Sequence, residues 1–409
     1  MGCRPLLWVT AMLAAGACNA QAPQEDKSLA FRDVTATHVP QAPDLHALDI
    51  ALADFDGDGD LDAALAVEGA ANRLYLNDGQ GRFNWREGAF GERPHDTEHV
   101  RAADFNRDSH IDLVFVAEDD QLHQLFLGQG DGRFVDASDR LPAMSEGNGL
   151  AVGDVNGDGL PDIVIGNSAK DHDARNFLWL NDARRPGWFT DATATHLPDV
   201  GNSAQGVALA DLDGDGDLDM VVATEAPPTR LLVNDGKGRF TEASDRLQQV
   251  TSLETREVHI LDANGDKRLD ILLLNLTSNA GKWEKDPQAR LLIQDGSGRF
   301  VDETAQRMPA NRFSSWGGTI MDFNGDGHSD IIVGAIAVPG FEPLQVRAYA
   351  SDGKGRFRDA TAATIPDTTV GRSWSMAVGD VNGDKRDDLF IGGWGTQARL
   401  LLGGRMTTE

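Results

Sequence analysis

Hydrophobic and polar positions along this chain fall into short blocks that recur. Each block opens on an alternating stretch of small and apolar residues, such as Ile50-Ala51-Leu52-Ala53 or Val207-Ala208-Leu209-Ala210. An acidic turn follows, and then a continuous apolar run: Leu113-Val114-Phe115-Val116, Met220-Val221-Val222, Ile271-Leu272-Leu273-Leu274 or Ile331-Ile332-Val333. Short β-branched runs bounded by Gly and Asp predict strands buried on both faces. A third strand comes next, as in Arg73-Leu74-Tyr75-Leu76 and Arg230-Leu231-Leu232-Val233. It leads into an Asp-Gly-x-Gly turn with Arg-Phe after it, at Asp78–Phe83, Asp235–Phe240, Asp295–Phe300 and Asp352–Phe357. Asp-Gly between two such runs is a hairpin signal. A fourth strand is predicted from the Phe onwards, as in Phe300-Val301-Asp302-Glu303-Thr304.

The acidic turn sets the period. It reads DFDGDGDLD at Asp54–Asp62 and recurs at Asp104–Asp112, Asp154–Asp162, Asp211–Asp219, Asp262–Asp270, Asp322–Asp330 and Asp380–Asp388, with starts 50, 50, 57, 51, 60 and 58 residues apart. Four strands in roughly 50 residues make one propeller blade. The seventh unit stops after its third strand, Arg399-Leu400-Leu401-Leu402-Gly403, and the missing fourth appears at the other end of the chain, as Phe31-Arg32-Asp33-Val34-Thr35. A strand donated from the N-terminus would close the ring and remove sheet edges that promote aggregation. The expected fold is all-β: one seven-bladed propeller of four-stranded antiparallel blades over residues 29–404, with a tail at 405–409.

Charge sharpens this picture. Asp and Glu number 65 against 37 Lys and Arg, a formal charge of −28. Nucleic acid is therefore not an expected partner, because phosphate binding needs a positive footprint. A cation is. Upstream, residues 1–17 read as a signal peptide: Arg4, an apolar run from Leu6 to Ala15, then Ala15-Gly16-Ala17 before Cys18. Small residues before a cysteine resemble a bacterial lipobox, which implies lipidation of Cys18, although Ala15 stands where that pattern usually has Leu. The alternative is ordinary secretion. Residues 18–28 read as a polar tether. A lipid anchor would be the only membrane contact, and the expected location is extracytoplasmic, in the outer membrane or periplasm. The expected state is a monomer. The only other cysteine is Cys3, so the body has no disulfide and its stability falls to core and metal.

The recurring turn follows D-x-[DN]-x-[DN]-G-x-x-D. Carboxylates at alternate positions of a tight loop converge on one point, and Ca²⁺ takes six to eight oxygens at about 2.3–2.6 Å. The candidate side-chain ligands are Asp54, Asp56, Asp58 and Asp62; Asp104, Asn106, Asp108 and Asp112; Asp154, Asn156, Asp158 and Asp162; Asp211, Asp213, Asp215 and Asp219; Asp262, Asn264, Asp266 and Asp270; Asp322, Asn324, Asp326 and Asp330; Asp380, Asn382, Asp384 and Asp388. Backbone carbonyls at position seven (Asp60, Leu160, Asp217, His328) would add another ligand. Of these 28 side-chain positions 23 are Asp and five Asn, which good turn-forming alone does not require. Carboxylates this close repel unless a cation sits among them. The best sites are the four loops with glycine at position six (Gly59, Gly159, Gly216, Gly327). Ser109, Lys267 and Lys385 occupy that position elsewhere and bear steric strain there, and a lysine can place its ammonium among the carboxylates. Mg²⁺ fits less well, since it holds its waters in an octahedral shell.

These repeats resemble FG-GAP/VCBS repeats, the unit of the integrin α-subunit propeller and of many secreted bacterial proteins. The resemblance implies a propeller with structural calcium in the loops joining first and second strands. It does not fix a function, because that family includes adhesion receptors, lectins and polysaccharide lyases.

Topology puts the acidic loops and Asp-Gly turns on one rim, and the longest insertions on the other: Asn275–Gln288, with Trp283 and Lys285, and Val338–Gln345, with Phe341. Residues entering the first strands also reach that second rim. Six positions before each motif lie Leu48, Glu98, Asn148, Gln205, Arg256, Trp316 and Trp374; five before lie Asp49, His99, Gly149, Gly206, Glu257, Gly317 and Ser375. Arg312 and Arg372 are near the tryptophans in sequence, and His46 and His259 are near the same rim. Aromatic faces beside polar groups suit a sugar or a peptide side chain, while tryptophans at these positions also serve as packing between blades. The candidate ligand residues are Trp316, Trp374, Arg372, Glu98, His99, Asp49, Arg256 and Glu257. No G-x-S-x-G or H-E-x-x-H occurs. The expected function is non-catalytic binding of a protein or glycan ligand; the alternative is a lyase-like polysaccharide enzyme using Glu98 and His99 at the same rim.

Overall fold

A computed structural model of the chain describes residues 29–142, 144–168, 175–225, 228–248, 254–276, 288–310, 315–334, 345–370 and 373–405. Cys18, the signal peptide and tether, Trp283, Lys285, Arg312, Phe341 and Arg372 lie outside the described residues.

Seven four-stranded antiparallel blades follow one another. Blade 1 is Ala47–Ala53, Asp62–Ala70, Arg73–Asn77 and Phe83–Arg86, and blade 2 is His95–Ala103, Asp112–Ala117, Gln124–Gly128 and Phe134–Asp136. Blade 7 has three sequential strands, Ser373–Gly379, Asp388–Gly393 and Arg399–Arg405. Its fourth is the N-terminal Leu29–Asp33, paired from Leu29 with Arg405 to Asp33 with Leu401.

The core lies between blades. Leu65, Val67 and Tyr75 of blade 1 pack with Phe390 and Leu400 of blade 7, and Phe55, Ala64 and Leu74 pack on the other side with Val100, Leu113 and Phe115 of blade 2. The same arrangement continues around the molecule, giving seven buried clusters, each drawn from two consecutive blades. This explains why the second strands are apolar on both faces: each is covered by a neighbour on either side. The blade 6–7 cluster includes Phe31 of the donated strand.

The fourth strands end two residues earlier than expected. The N-terminal strand is Leu29–Asp33 rather than Phe31–Thr35, and the blade 5 strand stops at Asp302 rather than Thr304. A short polar device ends each. Asp302 Oδ1 accepts hydrogen bonds from the Thr304 backbone N–H at 3.0 Å and its hydroxyl at 2.6 Å, while Thr304 Oγ1 accepts from Leu291 N–H at 2.9 Å. Such side-chain bonds compete with the ladder and start a single helical turn, Thr304–Arg307. Asp33 and Thr35 repeat the pattern before Thr35–His38.

First strands are bulged. The register slips by one residue in blades 1 to 5, and the extra residues are Leu48, Glu98, Asn148, Gln205 and Arg256. In blade 7, Trp374 and Ser375 together oppose Gly392. In every blade but the sixth, the residue counted six positions before the motif is thus a bulge residue, and a bulge re-aims a side chain. Glycines at the next position let neighbouring first strands converge: a Cβ on Gly206 would lie 2.7 Å from the Arg256 carbonyl oxygen.

Candidate functional site

The acidic loops share one conformation. In the first, Asp54 Oδ1 and Oδ2 accept from Gly57 and Gly59 N–H, Asp56 from Asp58 N–H and Asp58 from Asp60 N–H, at 2.7–3.2 Å. Gly59 has φ of 95° and Gly216 96°, the left-handed region that glycine enters without penalty. Ser109, Lys267 and Lys385 take the same region at φ of 70°, 69° and 67°, so these loops keep the shape and carry the strain. Neither lysine ammonium joins the carboxylates among the described residues. In blade 5 it is Arg268, one residue on, that pairs with Asp266.

The ninth residue is the best buried. Asp62 Oδ2 accepts from Phe55 N–H at 3.0 Å and Oδ1 from Asn77 N–H at 2.8 Å. Asp112, Asp162, Asp219, Asp270 and Asp388 make the equivalent pair of bonds. Each therefore ties the start of its loop to the third strand and keeps a second lone pair on each oxygen. Burial first, and neighbouring carboxylates second, push these groups up: Asp62, Asp112, Asp162, Asp330 and Asp388 to about 7, Asp219 and Asp270 to about 6.

Two of the loops bring side-chain oxygens into the span of one ion. Oxygens of Asp54, Asp56 and Asp58 lie within 4.8 Å of one another, as do those of Asp211, Asp213 and Asp219. All-oxygen donors at this spacing fit a hard cation. The loops also bridge blades. The side-chain amides of Asn77, Asn181, Asn234 and Gln294 donate to the second carbonyl of the preceding blade's loop, those of Val381, Phe105, Val155 and Leu212, at 2.7–2.9 Å.

On the opposite rim the bulge residues surround the channel mouth. A cavity of about 160 Å³ is lined by His99, Arg101, Arg256, Glu257, His259, Trp316 and Trp374, with Asn148 and Gln205. Trp316 and Trp374 stack with ring centroids 3.7 Å apart and planes 27° apart. Both are only partly buried, so they face the cavity as well as each other. Arg256 lies 5.2 Å from the Trp316 centroid and is held by Glu254 and Gln205. Glu257 Oε2 accepts from His259 Nε2 at 3.0 Å and from Gly318 N–H of the next blade at 2.8 Å.

Asp49 and Glu98 stand behind this surface. Asp49 is buried and accepts from His99 Nδ1 at 3.0 Å, Val100 N–H at 3.2 Å and Arg101 Nη1 at 2.5 Å. Burial alone would raise its carboxyl, but Arg101 and His99 hold it well below the usual range. Glu98 turns away from the cavity towards Glu68, Asp96 and Glu118. Burial, and then those three carboxylates, push it well above the ordinary value.

Two contributors escaped the sequence reading. Arg101 lies past the counted positions, and alternation along the bulged strand brings it to Asp49. Trp394 follows the second strand of blade 7, tilted against Trp374 at 5.9 Å and against His46 at 5.1 Å, with Nε1 donating to Glu68. Its cue was a second tryptophan in the blade that supplies Trp374.

An all-β propeller with one acidic loop per blade and an aromatic channel mouth is a repeat-built scaffold. The chain belongs to the family described as FG-GAP-like repeat, whose model matches residues 54–115, 109–165, 155–222, 211–273, 262–333 and 336–391. It is 29% identical over 196 residues to cartilage acidic protein 1 of Xenopus tropicalis and 29% over 195 residues to that of Homo sapiens, in each case 46% of this chain and 28% of the relative. It is 38% identical over 90 residues to phosphatidylinositol-glycan-specific phospholipase D of Bos taurus, covering 20% of this chain and 10% of that one. The chain thus spans under a third of the length of these curated relatives. A solved structure of BBS1N in complex with ARL6DN, soaked with lead, superposes with a TM-score of 0.54 at 11% identity, covering 92% of this chain and 98% of that one.

Proposed function

We propose that this is a calcium-stabilised, extracytoplasmic binding propeller that takes a protein or glycan ligand at the channel mouth opposite the acidic loops. The observation that carries the ligand site is the Trp316–Trp374 stack, facing a cavity beside Arg256, Glu257 and His259. Flat aromatic faces next to a few oriented polar groups recognise sugar rings and peptide side chains alike. BBS1N, a structure of the same fold, is itself solved in complex with ARL6DN.

Calcium would be held by the loop carboxylates and would supply the positive charge that lets them stay ionised at close range. The residues fit: oxygen-only donors, two sets of them within 4.8 Å, on loops that bond to the next blade. Lipidation of Cys18 would attach the domain to the envelope, and loss of radiolabelled-lipid incorporation on Cys18→Ala checks that point.

Binding is better supported than chemistry. His99 is held by Asp49, and Glu98 does not line the cavity. A screen of glycan and protein arrays in calcium buffer tests the proposal, followed by Trp316→Ala and Trp374→Ala on any hit. A ligand whose affinity is unchanged in the double variant refutes the site. Release of unsaturated uronate ends from a polysaccharide, lost on Glu98→Gln or His99→Ala, would establish the lyase-like alternative instead.

A further inference from the structure

We propose a second kind of cation site, separate from the repeat loops: Glu68, Asp96 and Glu98, with Glu118 beside them, form a Ca²⁺ site on the rim of the channel mouth, between blades 1 and 2. It goes beyond the function proposed above and does not depend on the loops.

Carboxylate oxygens of Glu68, Asp96 and Glu98 lie within 4.8 Å of one another, and those of Asp96, Glu118 and Asp119 form an adjoining group with the same spacing. Ligands on opposite sides of a Ca²⁺ ion stand about 4.6–5.2 Å apart, given bond lengths of about 2.3–2.6 Å. The Glu68–Asp96–Glu98 group already has that span.

The independent observation is Glu98. It is 6% exposed, and among the described residues no hydrogen-bond donor reaches its carboxylate. As the bulge residue of blade 2 it is the extra residue of the ladder, directed into the acidic group. A buried carboxylate without a donor is costly, and no Lys or Arg pairs with any of the four among the described residues. The nearby cation, Arg256, is engaged by Glu254.

The other three are oriented as ligands are by supporting hydrogen bonds. Glu68 Oε2 is held by His46 Nδ1 at 2.9 Å and by Trp394 Nε1. Asp96 Oδ2 accepts from Asp119 N–H at 2.7 Å. Glu118 Oε1 accepts from Asn148 Nδ2 at 3.0 Å and Ser168 Oγ at 2.5 Å. One oxygen of each is thus fixed by the protein, and the other accepts no hydrogen bond. The arrangement presents oxygens only, which selects a hard cation over zinc or copper. An ion here would join blades 1 and 2 on the rim that the loops leave unclamped.

Crystals of the protein soaked in Tb³⁺, a luminescent and anomalously scattering mimic of Ca²⁺, test this directly. An anomalous peak between Glu68, Asp96 and Glu98, lost when excess Ca²⁺ is added, is expected; peaks confined to the repeat loops would overturn the proposal. Equilibrium dialysis with radioactive Ca²⁺ gives a second reading. Glu68→Gln with Glu98→Gln should bind one equivalent fewer than wild type, whereas Asp54→Asn with Asp56→Asn should lose a loop equivalent and keep the terbium peak. Unchanged stoichiometry in the first variant would sink the idea. If that variant does not fold, as judged by circular dichroism, the wild-type crystal result alone decides.

Discussion

Gly317 lies so close to Trp374 that a Cβ built on the glycine would meet the Trp374 carbonyl oxygen at 1.7 Å. The two belong to neighbouring blades, and their approach is what lets the adjacent Trp316 lay its ring on Trp374. Gly317→Ala should therefore push blades 6 and 7 apart at the channel. A loss of about 1–3 kcal/mol of stability is expected from the overpacking, with a change in near-ultraviolet circular dichroism from the separated rings. An unaltered tryptophan signal would mean that the stack does not depend on this contact.

The ninth loop position and the fifth should respond oppositely when metal is removed. Asp162 accepts two buried backbone N–H bonds, whereas Asp158 is exposed. In chelator at pH 8, Asp162→Asn should cost about 1–3 kcal/mol, because an amide N–H then faces a backbone N–H. Asp158→Asn should be neutral or stabilising, since it only removes repulsion. Urea unfolding of both variants checks the contrast.

Chelation and pH should be coupled. The ninth-position carboxyls of the metal-free fold are raised to about 6–7, against an unfolded value of about 3.9. A raised folded value gives stability that is complete below the unfolded value and disappears as pH rises through the folded one. In chelator the melting temperature should fall between pH 5 and pH 8. Calcium, by favouring the ionised carboxylates, should abolish or reverse that slope. Calorimetry showing one slope in both buffers would contradict a cation in the loops.

His123 supplies an independent titration. Its Nδ1 accepts from Ala117 N–H at 3.1 Å, so Nε2 carries the proton and donates to Ser145 Oγ at 2.9 Å. Burial lowers it to about 4. Between that value and the ordinary 6.5 the unfolded chain binds the extra proton, so this histidine adds stability as pH rises. In calcium buffer, where the loop carboxylates are held ionised, that rise is read directly. His123→Gln should flatten the rise. Denaturant midpoints at pH 4.5 and pH 6.5 are sufficient to see it.

Blade number, the donated strand and the acidic loops were legible because each repeats a local rule: alternation, a continuous apolar run, Asp-Gly turns and a fixed acidic spacing. Chemistry at the channel mouth was legible only in part. Counting six residues back located Glu98, Arg256, Trp316 and Trp374, but not that a bulge sits there in most blades, and a bulge breaks the alternation that would assign their direction. Glu98 thus faces Glu68 and Asp96 rather than the cavity. Asp302 and Thr304 read as strand residues, yet their side chains satisfy the backbone locally and end the strand early. Trp394 and Arg101 reach the site through contacts with neighbouring blades, which no single repeat encodes.

The donated strand fixes more than closure. Leu29 pairs with Arg405, at the edge where third strands finish and the acidic loops emerge. Both ends of the described ring therefore leave from the rim of the acidic loops, opposite the tryptophan-lined bowl. A tag, linker or solid support attached at either end would leave that bowl unobstructed.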